Sequence, residues 1–143
     1  MKFVSLGSGS KGNATLVTSG DTSVLVDCGF TLRQTEKRLA RVGASATDLN
    51  ALLVTHEHSD HWAGVEALAV KYQTPIYLTA GSARAGNGTA SELMHIIDSH
   101  ADFIIGDLAI TPVPVPHDSR EPVQFIIAAA GFRLGLLTDL GYL

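Results

Sequence analysis

The sequence predicts a mixed α/β fold with α+β character. Three observations predict it. Short β-rich runs open the chain as a meander, strand and helix patterns alternate in its middle, and two hairpin signals close it. The 143 residues are 45% hydrophobic and 17% charged, enough apolar material for one packed core and not the composition of a disordered chain.

Phe3 to Leu6 reads as a first strand. Gly7-Ser8-Gly9-Ser10-Lys11-Gly12-Asn13 follows and matches G-x-G-x-x-G, with Asp27 twenty residues beyond Gly7. A dinucleotide site needs a helix straight after the glycines. Here Ala14–Thr18 is β-branched and short, a Ser19-Gly20-Asp21 turn follows, and Ser23–Asp27 is a second strand. A Walker loop fails as well, because Asn13 stands where its lysine belongs. The loop reads either as a strand connection or as the mouth of a site where Ser8, Ser10 and Lys11 touch an anionic substrate. Asp27, at a strand end, either caps a turn or orients a metal ligand. Cys28 is the sole cysteine, which excludes an internal disulfide and a thiolate zinc cluster. It reads as a small buried hydrophobe.

Thr31 to Val42 predicts a helix with Leu32, Thr35, Leu39 and Val42 inward and Gly43 as its stop. Ala51–Thr55 is apolar nearly throughout, as a central strand covered on both faces should be. His56-Glu57-His58-Ser59-Asp60-His61 comes next, three imidazoles and two carboxylates in six residues. This donor set suits zinc, manganese or iron. Trp62, Val65, Leu68, Ala69 and Tyr72 continue at helical spacing to a stop near Pro75, which puts Asp60 and His61 at a helix start.

Ile76–Thr79 is a strand, and residues 80–87 form a small-residue loop with one helical turn. Ala90–Ile97 reads as a short helix with Leu93, Met94 and Ile97 inward, and His95 and His100 read as surface residues. Phe103–Ile105 and Leu108–Val113 flank a Gly106-Asp107 turn. Pro112, Pro114 and Pro116 stiffen the approach to His117. Val123–Ala130 and Phe132–Thr138 form a last hairpin around Gly131, and Asp139 follows.

These residues carry a resemblance. His56-x-His58-x-Asp60-His61 on a strand–loop–helix, a later His117, Asp139 after a strand, and Asp27 after an early one resemble the metallo-β-lactamase fold superfamily. The glycine loop, Thr55–His61, Pro116-His117-Asp118-Ser119 and Thr138-Asp139-Leu140-Gly141 resemble its WalJ-like branch of 5′–3′ DNA exonucleases. The resemblance implies an αββα sandwich, mainly its N-terminal half across residues 1–143, and two divalent metal ions. His56, His58 and His117 would bind the first ion and Asp60 and His61 the second. Asp139 would bridge them around a shared water or hydroxide, Asp60 would hold the nucleophile, and Asp27 would support the ligands from behind. The implied function is metal-dependent hydrolysis of DNA phosphodiesters, with Asp60 and Asp139 catalytic and zinc favoured over manganese or iron.

Superfamily members carry one more histidine well after the bridging aspartate, whereas this sequence ends four residues past Asp139. Either the chain is the N-terminal part of a longer protein, the preferred reading, or a short form that self-associates through an exposed sheet edge. The alternative function is thus a catalytically incomplete metal-binding or assembly module. With net charge −4 there is no basic footprint for tight nonspecific DNA binding. No membrane span or signal peptide is expected, and the expected location is cytoplasmic.

Overall fold

A computed structural model of the chain describes residues 1–115, 121–129 and 131–136. Among the described residues, ten strands form two sheets and four α-helices connect or flank them. Strands β1 (Lys2–Gly7), β2 (Ala14–Ser19) and β3 (Thr22–Val26) make the opening antiparallel meander. Helix α1 (Leu32–Arg41) crosses to β4 (Ala51–Leu53), which pairs parallel with β3. Helices α2 (Ser59–Trp62) and α3 (Val65–Tyr72) lead to β5 (Ile76–Leu78), again parallel, and α4 (Ala80–Ala83) leads on to β6 (Met94–Ile96). The six strands lie in chain order. A second sheet, in the order β10-β9-β8-β7, holds β7 (Phe103–Ile105), β8 (Leu108–Pro114), β9 (Val123–Ala129) and β10 (Phe132–Leu136).

Strand alternation sorts the core into two layers. Leu16, Leu25 and Leu52 face the helices and meet Leu39, Val65 and Leu68. Val17, Val24, Val26, Ala51 and Leu53 face the second sheet and meet Leu108, Ile110, Phe125 and Ile127. Leu52 and Leu53 are both fully buried, on opposite faces of β4, and each burial stabilises by about 1.5–3 kcal/mol. The described residues therefore form helix, sheet and sheet layers, the mixed α/β sandwich expected from the sequence.

Local chemistry explains the element ends. Thr31 caps α1 by accepting the Gln34 N–H at 3.2 Å, and Gly43 beyond its end takes φ of 75°. Val42, expected inward, is 42% exposed because the helix ends at Arg41 and its inward stripe ends with Leu39. The expected continuous helix after the histidines breaks at Ala63-Gly64. The Gly64 N–H donates to Cys28 O at 2.8 Å, and a Cβ there would stand 2.0 Å from Phe30 O. The expected helix at Ala90–Ile97 is instead a single 3-10 turn, Ser91–Leu93, followed by β6. Pairing of Met94, His95 and Ile96 with Ile76, Tyr77 and Leu78 satisfies the backbone in a way that overrides the helix-forming side chains. His95 is exposed and stacks on Tyr77 with ring centroids 4.9 Å apart, and His100 is exposed. Prolines 112 and 114 fit in β8 because β7 pairs only as far as Ile110, so that side of the strand needs no donors from them.

Candidate metal centre

The histidine motif leaves the sheet where β4 ends. Val54, Thr55 and His56 continue buried from that strand, and His58 is the N-cap of α2. Asp60 and His61 thus sit in the first turn of a helix, as the spacing predicts. The rings gather there: His56 lies 4.1 Å from His61 and 4.8 Å from His58, centroid to centroid.

Asp27 stands behind them. It follows β3 with φ of 62°, a left-handed backbone that aspartate tolerates better than most residues. That turn points its carboxylate across the end of β4. Oδ1 accepts the Thr55 N–H at 2.8 Å, and Oδ2 accepts the Thr55 hydroxyl at 2.7 Å. Oδ2 also meets His61 Nδ1 at 2.6 Å, with both side chains shut off from solvent. A carboxylate can only accept, so His61 Nδ1 carries its proton. The Thr55 hydroxyl has one proton and gives it to Asp27. Its 2.9 Å contact with His56 Nδ1 must therefore be donated by the imidazole. One aspartate and one threonine so place a proton on Nδ1 of both histidines, which in the neutral ring leaves the lone pair on Nε2. This is the state in which imidazole ligates a metal, and a carboxylate partner behind it is the usual support.

Asp60 completes the described cluster. Its Oδ2 lies 3.5 Å from His61 Nε2 and accepts from Asn13 Nδ2 at 3.2 Å. The backbone is clamped around it: Asn13 N donates to Asp60 O at 2.7 Å, Cys28 N to His61 O at 2.9 Å, and Gly29 N to Asn13 O at 3.0 Å. Among the described residues, no three His, Cys, Asp or Glu side chains are arranged to hold a metal ion. The imidazole of His56 is edge-on to that of His58 and tilted against that of His61. The donor chemistry fits a divalent ion, because two imidazoles held through Nδ1 stand beside a carboxylate.

His117 and Asp139, with Pro116, Asp118, Ser119, Thr138, Leu140 and Gly141, lie outside the described residues. The flanks of residues 116–120 are tied to the centre. The Val123 N–H donates to Thr55 O at 2.9 Å, and Val115 N to Pro122 O at 3.3 Å. Gly81 N and the Thr79 hydroxyl both bond to Glu121. Ser8, Ser10 and Lys11 are exposed on the loop between β1 and β2, and that loop reaches the centre through Asn13. Cys28 is buried, its Sγ 3.2 Å from the Thr35 hydroxyl, and burial pushes its thiol up to about 11, so it behaves as a packing residue. Sequence reasoning missed two residues, Asn13 and the Thr55 hydroxyl. The amide directly after Gly12 and the hydroxyl directly before His56 were the available signals.

The two facing sheets with helices on one side and a histidine-rich loop at the strand ends define the metallo-β-lactamase fold. A metallo-β-lactamase from Cronobacter sakazakii superposes with a TM-score of 0.76 over 97% of this chain and 63% of its own, at 15% identity. The chain belongs to the β-lactamase superfamily, whose domain matches residues 22–143. It is 33% identical over 99% of its length to exodeoxyribonuclease YycJ of Bacillus anthracis. It is likewise 33% identical over 99% of its length to exodeoxyribonuclease WalJ of Streptococcus pneumoniae. In both cases it covers 55% of the relative, so the chain spans about half the length of the curated relatives it matches. The fold implies divalent metals. Among the described residues, no helix is long and apolar enough to cross a membrane.

Proposed function

We propose that this chain carries the metal-binding part of a hydrolase that cleaves DNA phosphodiesters from a 5′ end. The observation that carries the proposal is the Asp27–Thr55 network, which sets His56 and His61 for ligation beside Asp60. The two exodeoxyribonuclease relatives supply the substrate class. His56, His58 and His117 would hold one ion and Asp60 and His61 another, with Asp139 shared between them. Zinc suits the imidazole set best, and manganese or iron would suit the carboxylates. When bound, such ions acidify a water and stabilise charge on a phosphoryl oxygen.

The chain's own side chains do the rest. Asp27 and Thr55 keep the lone pairs of His56 and His61 on Nε2. The Asp60 carboxylate, one-quarter exposed, is available to accept a hydrogen bond from the attacking water. Ser8, Ser10 and Lys11 would meet the phosphate backbone, Lys11 by charge and the serines by hydroxyl donation.

The test is release of nucleotides from 5′-labelled duplex DNA, with single-stranded DNA and RNA alongside. Wild type should act with added zinc or manganese and stop with a chelator, and His58→Ala should lose about a hundredfold or more. Equal rates in wild type and His58→Ala, or indifference to chelation, would end the proposal. A second reading, an assembly module without catalysis, draws on β10 ending its sheet among the described residues. It expects bound metal, no hydrolysis, and a dimer or larger species by light scattering.

A further inference from the structure

We propose that Asn13 is a positioning residue for Asp60, its carboxamide fixing the carboxylate oxygen that faces His61. The inference rests on the metal-centre reading above. Asn13 is 8% exposed and bonds through every polar atom it has. Its Nδ2 has two N–H groups for three acceptors, Gly9 O at 2.9 Å, Asp60 O at 3.0 Å and Asp60 Oδ2 at 3.2 Å, so one N–H is shared. Its Oδ1 accepts the Gly9 N–H at 3.1 Å. Its backbone N–H donates to Asp60 O, and its carbonyl accepts from Gly29.

This position needs a donor toward Asp60 and an acceptor toward Gly9 on one short side chain, which is the description of asparagine. Aspartate would set a negative oxygen against three acceptors, and a hydroxyl is too short to do both jobs. The contact to the Asp60 carboxylate places an N–H dipole against a negative oxygen. It falls on Oδ2, the same oxygen that stands 3.5 Å from His61 Nε2. Rotation of the carboxylate away from His61 therefore breaks the Asn13 bond.

The loop that carries Asn13 is closely packed. The glycine loop lies on the Phe30 ring so closely that a Cβ on Gly7 or Gly12 would enter it, at 2.4 and 2.5 Å. The Arg38 guanidinium stacks on that ring, 3.9 Å from its centroid, and donates to Leu6 O at 2.6 Å. Asn13 thus transmits the fixed position of the loop to one member of the Asp60–His61 pair.

A double-mutant cycle on the full chain tests this: wild type, Asn13→Ala, Asp60→Ala and the double variant. Zinc affinity is measured by competition with a chromophoric chelator, and folding by circular dichroism. Asn13→Ala should weaken zinc binding roughly tenfold when Asp60 is present and have no further effect when it is absent. The Asp60 backbone contacts survive in both backgrounds, so a role confined to building the loop gives the same fold-change in each and overturns the inference. So does an unchanged affinity in Asn13→Ala. If Asp60→Ala itself binds zinc as wild type does, the metal role of Asp60 fails and the inference fails with it. Should Asn13→Ala lose its folded spectrum, Asn13→Ser carries the same cycle, since its hydroxyl caps the loop without reaching Asp60 Oδ2.

Discussion

Asp27 Oδ2 and His61 Nδ1, from residues 34 positions apart, meet at 2.6 Å in a place no solvent reaches. A carboxylate there dictates which imidazole nitrogen keeps its proton. Asp27→Asn retains the left-handed backbone and one acceptor oxygen but can turn an N–H toward His61. The ring then favours its other tautomer and loses the lone pair from Nε2. Zinc affinity should fall 10–100-fold, about the cost of removing such a partner, and metal-free stability by about 1–3 kcal/mol. Chelator competition and urea unfolding measure the two separately. A stability loss with unchanged zinc affinity would assign Asp27 to the fold alone.

Gly29 and Gly64 let two backbone segments touch. A Cβ on Gly29 would lie 1.8 Å from Asp60 O, and one on Gly64 would lie 2.0 Å from Phe30 O. Both neighbours are main chain and cannot rotate aside. Gly29→Ala and Gly64→Ala should each cost about 3 kcal/mol or more, read as a fall in the urea midpoint. A loss under about 1 kcal/mol would mean that the clamp around Asp60 yields.

Cys28 gives a pH dependence. Burial, the dominant cause, raises its thiol to about 11 from an ordinary value of 9.0. Above pH 9 the unfolded chain sheds this proton while the folded chain keeps it, so the unfolded state binds fewer protons and stability falls as pH rises. The loss spans pH 9.0 to about 11 and is on the order of 2 kcal/mol. Urea midpoints at about pH 8 and pH 10.5 should diverge more in wild type than in Cys28→Ala. Native protein should resist alkylation at about pH 8 and react once unfolded.

Lys11 is the exposed cation of the glycine loop. If it meets a DNA phosphate, Lys11→Ala should flatten the plot of log affinity against log salt by about 0.7–0.9, one counterion's worth. Filter binding or fluorescence anisotropy across a salt series reads this. An unchanged slope would remove Lys11 from the DNA path.

Much of the fold was legible because periodicity reports burial. Leu52 and Leu53 announced a strand covered on both faces, and Leu32, Thr35 and Leu39 announced a helix. Met94-His95-Ile96 was not legible, because what makes it a strand is a neighbour, β5, with open backbone groups. The break at Gly64 was hidden for a related reason: its cause is the carbonyl of Phe30, far away in sequence. In the site, the spacing of His56, His58, Asp60 and His61 announced a cluster of polar side chains at the end of β4. The Asp27–Thr55–His56 hydrogen-bond order was not legible, since it depends on one hydroxyl having a single proton to give. Asn13 was hidden because a glycine-rich loop directs attention to its glycines rather than to the amide that follows them.

Strand β4 has a consequence for how this chain can change over time. Ala51 and Leu53 point to one core and Leu52 to the other, and His56 follows three residues later. Inserting or deleting a single residue between Ala51 and Thr55 would swap the two faces and carry the histidines to the wrong side of the sheet. Side chains along this stretch can be exchanged one at a time, but its length cannot drift. The distance from Ala51 to His56 is therefore inherited as a unit, and a descendant that altered it would have to rebuild both cores and the ligand cluster together.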